Sequence, residues 1–235
     1  VMIGYDGIVL ANAKGAPAFD LSKKQIFMAL ARQLPDASGK LVANSYKKWS
    51  DIDPKLPAQS IEVYGPPPTS GTRDAFVELA MEEGCKEVKE FATAYPDEKE
   101  RKKACGLLRE DGAYIDAGED DNMIVQKLVS NKNALGIFGY SFLEENKGKV
   151  QGSKVAGVAP NLENIESDKY KLSRSLYVYV KADHLGKIAG ISEFVNEMVS
   201  EGAIGADGYL TNKGLLPLHD KDKKLARERA ASLKK

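Results

Sequence analysis

Hydrophobic positions along the chain switch repeatedly between strand-like runs and helical spacing. Val1 to Ala11 reads as a strand, with Tyr5-Asp6-Gly7 as a bend or bulge inside it. Leu21 to Leu34 places Ile26, Phe27, Leu30 and Leu34 on one helical face, with Asp20 or Ser22 as the cap. A turn-rich stretch from Pro35 to Pro57 holds the lone tryptophan, Trp49. Ile61 to Tyr64 reads as a short strand, and the helix beyond it buries Phe76, Leu79 and Ala80. Glu82 to Leu108 has the pattern of a charge-rich helical pair, Tyr114 to Ala117 that of a strand. The next helix turns Ile124, Val125, Leu128 and Val129 inward. Ala134 to Tyr140, Val155 to Ala159 and Leu176 to Val180 read as further strands. Ile188, Ile191, Val195 and Met198 mark another helix, and Lys221 to Lys235 a polar surface helix. Such alternation predicts an α/β fold with a largely parallel sheet.

Composition narrows the class. The 235 residues are 43% hydrophobic and 29% charged, the profile of a globular protein with a real core. Lys+Arg and Asp+Glu are equal at 34 each, so no overall basic field recruits nucleic acid or an anionic membrane. An anion that binds here must be held by a local site. No apolar run approaches the ~20 residues that cross a bilayer.

Cys85 and Cys105 lie close together in the charged helical region. The only histidines, His184 and His219, are far along the chain, so a zinc site is poorly supplied and no metal is expected. A disulfide between neighbouring helices is the preferred reading, with two free thiols as the alternative. Closing that loop would stabilise the fold by about 3 kcal/mol and imply an oxidising compartment.

The most informative stretch is Thr69-Ser70-Gly71-Thr72-Arg73-Asp74, which follows a strand and opens a helix. The first helical turn offers unpaired N–H groups and the positive end of the macrodipole. Gly71 lets backbone approach closely, three hydroxyls supply donors, and Arg73 supplies a charged fork suited to a tetrahedral oxyanion. The plainer alternative is a hydroxyl-capped helix whose Arg73 pairs with Asp74 or solvent. No Gly-x-x-x-x-Gly-Lys-Ser/Thr cradle for nucleotide phosphates is present.

From these residues a family resemblance follows. Ser70-Gly71-Thr72-Arg73-Asp74-Ala75-Phe76 resembles the phosphate loop and following helix of periplasmic phosphate-binding proteins. Four further segments agree in order. Ile3-Gly4-Tyr5-Asp6-Gly7-Ile8-Val9 is similar to the hinge strand of that family, and Trp49-Ser50-Asp51-Ile52 to its Trp-Ser-Asp segment. Ala134 to Tyr140 resembles the Gly-Ala-Ile-Gly-Tyr strand, and Ser173 to Val180 the strand that returns to the first lobe.

The resemblance implies a two-lobe, type II periplasmic-binding-protein-like fold, with the second lobe complete and the first partial. Residues 1–8 would enter lobe 2, 9–170 would form it with the phosphate loop 69–73, and 171–235 would return to lobe 1. It implies a periplasmic or other extracytoplasmic receptor, monomeric, that closes by a hinge on inorganic phosphate and delivers it to the membrane permease of an ABC importer, with no cofactor and no catalytic residue. Thr69, Ser70, Gly71, Thr72 and Arg73 become the phosphate ligands. Asn122 would donate from a second loop, its alternative being a helix cap. Asp6 would face the cleft and accept from a protonated phosphate oxygen, which discriminates against sulfate; its alternative is a turn former.

Three departures from the family pattern bear on the site. Pro66-Pro67-Pro68 stands where many members carry an arginine, so Arg73 takes the principal charge role. Ser175 replaces a proline. The chain opens Val1-Met2-Ile3, in mid-strand, so the N-terminal segment of the first lobe, with further phosphate contacts, is expected outside this sequence. Sulfate or molybdate reception and a phosphate-processing enzyme are the other functions weighed; the enzyme would need a nucleophile with a base, or a metal cluster. Tyr5, Tyr140, Tyr177 and Tyr179 are expected in core or hinge packing. The Lys/Glu run from Glu82 to Lys103 is expected to be a solvated face, and the histidines ordinary surface residues.

Overall fold

The computed structural model describes residues 1–233; the expected C-terminal helix extends to Lys234 and Lys235, which lie outside them. The described residues fall into two compact units. The larger comprises Ile8–Pro160 with Tyr170–Leu172, and the smaller comprises Val1–Gly7, Asn161–Lys169 and the residues from Ser173 onward. One long strand, Met2–Ala13, contributes to both.

In the larger unit this strand is fully buried from Ile8 to Ala11. It pairs antiparallel with Leu135–Gly139, Ile8 opposite Gly139 and Ala11 opposite Gly136, and its end pairs with Val150–Gly152. Leu135–Gly139 lies parallel to Val63–Gly65, which lies parallel to Tyr114–Asp116. Three parallel strands therefore end at one edge, and each is followed by a helix: Gly71–Phe76, Asp121–Ser130 and Tyr140–Glu145. In open α/β sheets, that carboxyl edge is where ligands bind.

Local chemistry explains most boundaries. Helix Lys23–Leu30 begins with a capping box between Ser22 and Gln25 and buries Ile26, Phe27, Ala29 and Leu30. It ends four residues before the expected Leu34. Ala31 is extended, and Gln33–Pro35 instead pairs with Leu41–Ala43 as a hairpin, because a proline disfavours helical backbone in the residue before it. Gly71–Phe76 runs without a break into a π-helical stretch, Val77–Glu82, and then Glu83–Lys86. The wider turn shifts the inward face, so Phe76, Ala80 and Met81 are buried while Leu79 is only half-buried. Helix Asp121–Ser130 buries Ile124, Val125 and Leu128, and its packing needs Gly136: a Cβ there would lie 2.5 Å from Ile124 and 2.9 Å from Leu128. Val129, expected inside, is 48% exposed because it falls off that face. The strand expected at 155–159 is only Lys154–Val155; it stops where Ala156 and Gly157 both adopt positive φ.

In the smaller unit Met2–Gly7 pairs antiparallel with Ser173–Tyr177. The irregularity falls between Met2 and Gly4 rather than at Tyr5-Asp6-Gly7, which stays extended and paired. Val195, Val199, Ala203, Ile204, Leu218, Ala226 and Ala230 form the core, flanked by Ile3, Tyr5 and Val178. Helix Ile191–Met198 starts after Gly190, leaving Ile188 outside it and exposed. Tyr140 is buried, but Tyr179 is 88% exposed and Tyr177 46%, so neither is a packed core side chain in this structure. No helix among the described residues is long and apolar enough to cross a membrane.

Candidate functional site

The stretch from Thr69 to Arg73 sits at the carboxyl edge of the larger unit's parallel strands, directly after Val63–Gly65. Pro66-Pro67-Pro68 carries the chain out of the strand. The Ser70 amide donates to the Pro67 carbonyl at 3.0 Å, and the Ser70 carbonyl accepts from Asp74 at 3.1 Å, which closes the first helical turn. The Ser70 hydroxyl accepts from the Thr72 amide at 3.2 Å and so caps the helix. A Cβ at Gly71 would meet no protein atom within 4 Å, so packing inside the protein does not require glycine there. Thr69 donates its hydroxyl to Glu119 at 2.6 Å, which ties this loop to the one after strand Tyr114–Asp116.

Arg73 does not pair with Asp74. Its guanidinium lies 4.4 Å from the centroid of the Tyr114 ring, and its Nη1 donates to the Pro66 carbonyl at 3.2 Å. The Tyr114 hydroxyl donates to that same carbonyl at 2.7 Å. Gly65 allows this closeness, since a side chain there would collide with the Tyr114 hydroxyl and ring. Burial raises the Tyr114 phenol to about 12, against the opposing pull of the Arg73 charge. Arg73, Tyr114, Pro68, Asp116 and Arg32 share the wall of a cavity of about 530 Å³.

The second loop is acidic. Asp120 caps helix Asp121–Ser130 and accepts from both the backbone and the side-chain amide of Asn122, at 2.9 and 2.8 Å. The Asn122 side chain is thus held against the cap residue. Burial, with the charges of Asp120 and Glu119 adding to it, raises the Asp121 carboxyl to about 6. Asp6 belongs to the smaller unit, where Arg174 on the paired strand donates to it at 3.3 Å.

Of the residues singled out in the sequence, the structure gathers Thr69, Ser70, Gly71, Thr72 and Arg73 at one strand-to-helix junction. Tyr114 and Glu119 were not singled out. Neither carries a local motif, and only the parallel pairing of Val63–Gly65 with Tyr114–Asp116 brings them to the loop. Cys85 and Cys105 form a disulfide. His219 contacts the Glu166 carbonyl at 3.1 Å, and no cluster of metal-binding side chains occurs among the described residues.

An α/β larger unit whose loop 66–70 leads from a parallel strand into a helix at the carboxyl edge of the sheet is the architecture of the periplasmic-binding-protein-like class. The profile of the PBP superfamily domain matches residues 1–202, and the chain belongs to that superfamily. Among similar sequences, the phosphate-binding protein PstS of Staphylococcus saprophyticus is 29% identical over 226 residues, which cover 94% of this chain and 57% of that protein. Protein SphX of Synechococcus elongatus is 26% identical over 202 residues, 83% of this chain and 49% of that protein. The chain thus spans about half the length of these relatives. A possible phosphate binding protein from Planctomyces limnophilus superposes with a TM-score of 0.72 at 23% identity, covering 100% of this chain and 72% of the other. A putative phosphate ABC transporter substrate-binding protein from Clostridium perfringens, solved with bound phosphate, gives 0.58 at 25% identity, covering 93% and 71%.

Proposed function

We propose that the chain is part of an extracytoplasmic receptor that binds inorganic phosphate and hands it to the membrane permease of an ABC importer. The observation that carries the reading is the placement of Thr69-Ser70-Gly71-Thr72-Arg73 at a strand-to-helix junction on the carboxyl edge of a parallel sheet. Gly71 lacks any packing reason within the protein, which suits close approach of an anion to the backbone. The names of the relatives and the phosphate in the Clostridium protein favour phosphate over other oxyanions. The Cys85–Cys105 disulfide suits an oxidising, extracytoplasmic setting.

In this reading Thr69, Ser70, Gly71 and Thr72 contact the anion, Arg73 supplies the charge, Asn122 contributes from the start of helix Asp121–Ser130, and Asp6 from the strand Met2–Ala13. The lobes divide at 1–8, 9–170 and 171–235. The receptor acts as a monomer without catalysis.

Calorimetry on the complete natural protein with phosphate, sulfate and molybdate tests this, together with hydrolysis of a phosphate ester. Phosphate should bind with sulfate and molybdate much weaker, and Arg73→Ala should weaken phosphate at least about tenfold, as loss of a charge-assisted contact does. Preference for sulfate or molybdate moves the assignment to that anion. Ester turnover, or near-native affinity in Arg73→Ala, refutes the receptor mechanism or the site respectively.

A further inference from the structure

Tyr114 makes three contacts that meet at the anion loop. Its ring carries the Arg73 guanidinium at 4.4 Å, its hydroxyl holds the Pro66 carbonyl at 2.7 Å, and its edge lies against Gly65. Arg73 closes the triangle by donating to that same carbonyl. The Pro66 oxygen is therefore a shared acceptor, bound once by the ring's hydroxyl and once by the cation on the ring's face. Proline at 66 brings a fixed φ and no N–H, so the carbonyl's direction is set by these two donors and by the strand that ends at Gly65.

We propose that Tyr114 is the positioning residue of the anion loop, holding the Arg73 fork and the Pro66 carbonyl in one arrangement before an anion arrives. The proposal rests on the receptor reading above. An unanchored arginine samples many rotamers, and ordering it on binding reduces affinity. Stacked on an aromatic face, the guanidinium is ordered in advance while its edge stays available. Nη1 is turned to the Pro66 carbonyl, and the guanidinium also lines the cavity wall beside Pro68 and Asp116. The second loop cannot serve this purpose. It approaches through Glu119, which binds Thr69, and its charges are negative.

A binding cycle on the complete protein separates positioning from ordinary packing. Tyr114→Leu removes the ring face and the hydroxyl and should weaken phosphate about tenfold, whereas Tyr114→Phe keeps the face and should stay within about threefold. In an Arg73→Ala background, Tyr114→Leu should cost less than about twofold more, because there is no fork left to hold. Equal losses in both backgrounds, or equal losses for Leu and Phe, overturn the proposal. Hydrogen exchange of the ligand-free protein supplies an arm that needs no anion: amides of residues 69–76 should exchange faster in Tyr114→Leu than in Tyr114→Phe. If the unaltered protein binds neither phosphate, sulfate nor molybdate, the receptor reading fails; unchanged exchange in Tyr114→Leu then rejects the positioning role separately.

Discussion

Cys85 and Cys105 are joined across 5.8 Å between their Cα atoms, twenty residues apart in sequence. The bridge ties the end of the helical run that starts at Gly71 to the end of helix Glu98–Cys105, and both cysteines are buried. It therefore anchors the far end of the segment whose near end follows the loop at 69–73. Replacing both residues by Ala should lower stability by about 3 kcal/mol, the value expected for a loop of this length, and the melting temperature by roughly 6–12 °C. Thermal unfolding with and without reductant checks this. Mass spectrometry of unreduced peptides that found two free thiols would reject the bridge itself.

Arg109 is a buried cation with all its obligations inside one unit. It donates to Asp111 at 2.9 and 2.5 Å, and to the carbonyls of Ala29 and Tyr46 at 3.2 and 2.7 Å. Arg109→Ala leaves the Ala29 and Tyr46 carbonyls without this donor and should cost about 1–3 kcal/mol, measured by urea unfolding; Arg109→Lys should recover only part, since an ammonium cannot reproduce the fork. Hydrogen bonding from Arg109 depresses the Asp111 carboxyl to about 2. Its contribution is therefore present above pH ~4, where the unfolded carboxyl ionises, and is lost as pH falls toward 2. Asp111 is 42% exposed, so solvent limits that contribution to about 1 kcal/mol. Asp111→Asn should flatten the stability profile over that window. An unaltered acid limb in this variant would show that Asp111 is not its source.

What was legible in the chain was whatever chemistry is local. Ser22 with Gln25, Ser70 with Thr72, and the apolar spacing of Ile124, Val125 and Leu128 each state their role within one helical turn. The loop 69–73 was legible for the same reason. Tyr114 and Glu119 were not, because a parallel crossover separates them from the loop by some fifty residues of sequence, as in the Thr69–Glu119 contact. Nothing nearby announces the pairing. Leu34 failed because helical periodicity continues past the point where Pro35 redirects the chain, and Val129 because it lies off the helix face that Ile124, Val125 and Leu128 turn inward. Tyr177 and Tyr179 read as apolar strand residues, yet strand alternation does not say which face packing will cover.

Asp121 provides a pH test with the opposite sign to Asp111. Burial chiefly, then the charges of Asp120 and Glu119, lift its carboxyl to about 6, well above the unfolded value near 4. A carboxyl that binds its proton more tightly when folded stabilises the fold below pH ~4 and loses that contribution as pH rises through 6. At pH 7 the ionised Asp121 is thus a cost to the fold, on the order of 1 kcal/mol once partial access to solvent is allowed for. Asp121→Asn should raise stability at pH 7 and leave it nearly unchanged at pH 4, in denaturant unfolding at the two pH values. The substitution keeps the side chain's size at the start of the helix, where Asp120 rather than Asp121 is the cap, so the comparison isolates charge. A gain equal at both pH values would mean that packing, not ionisation, sets the energy of Asp121.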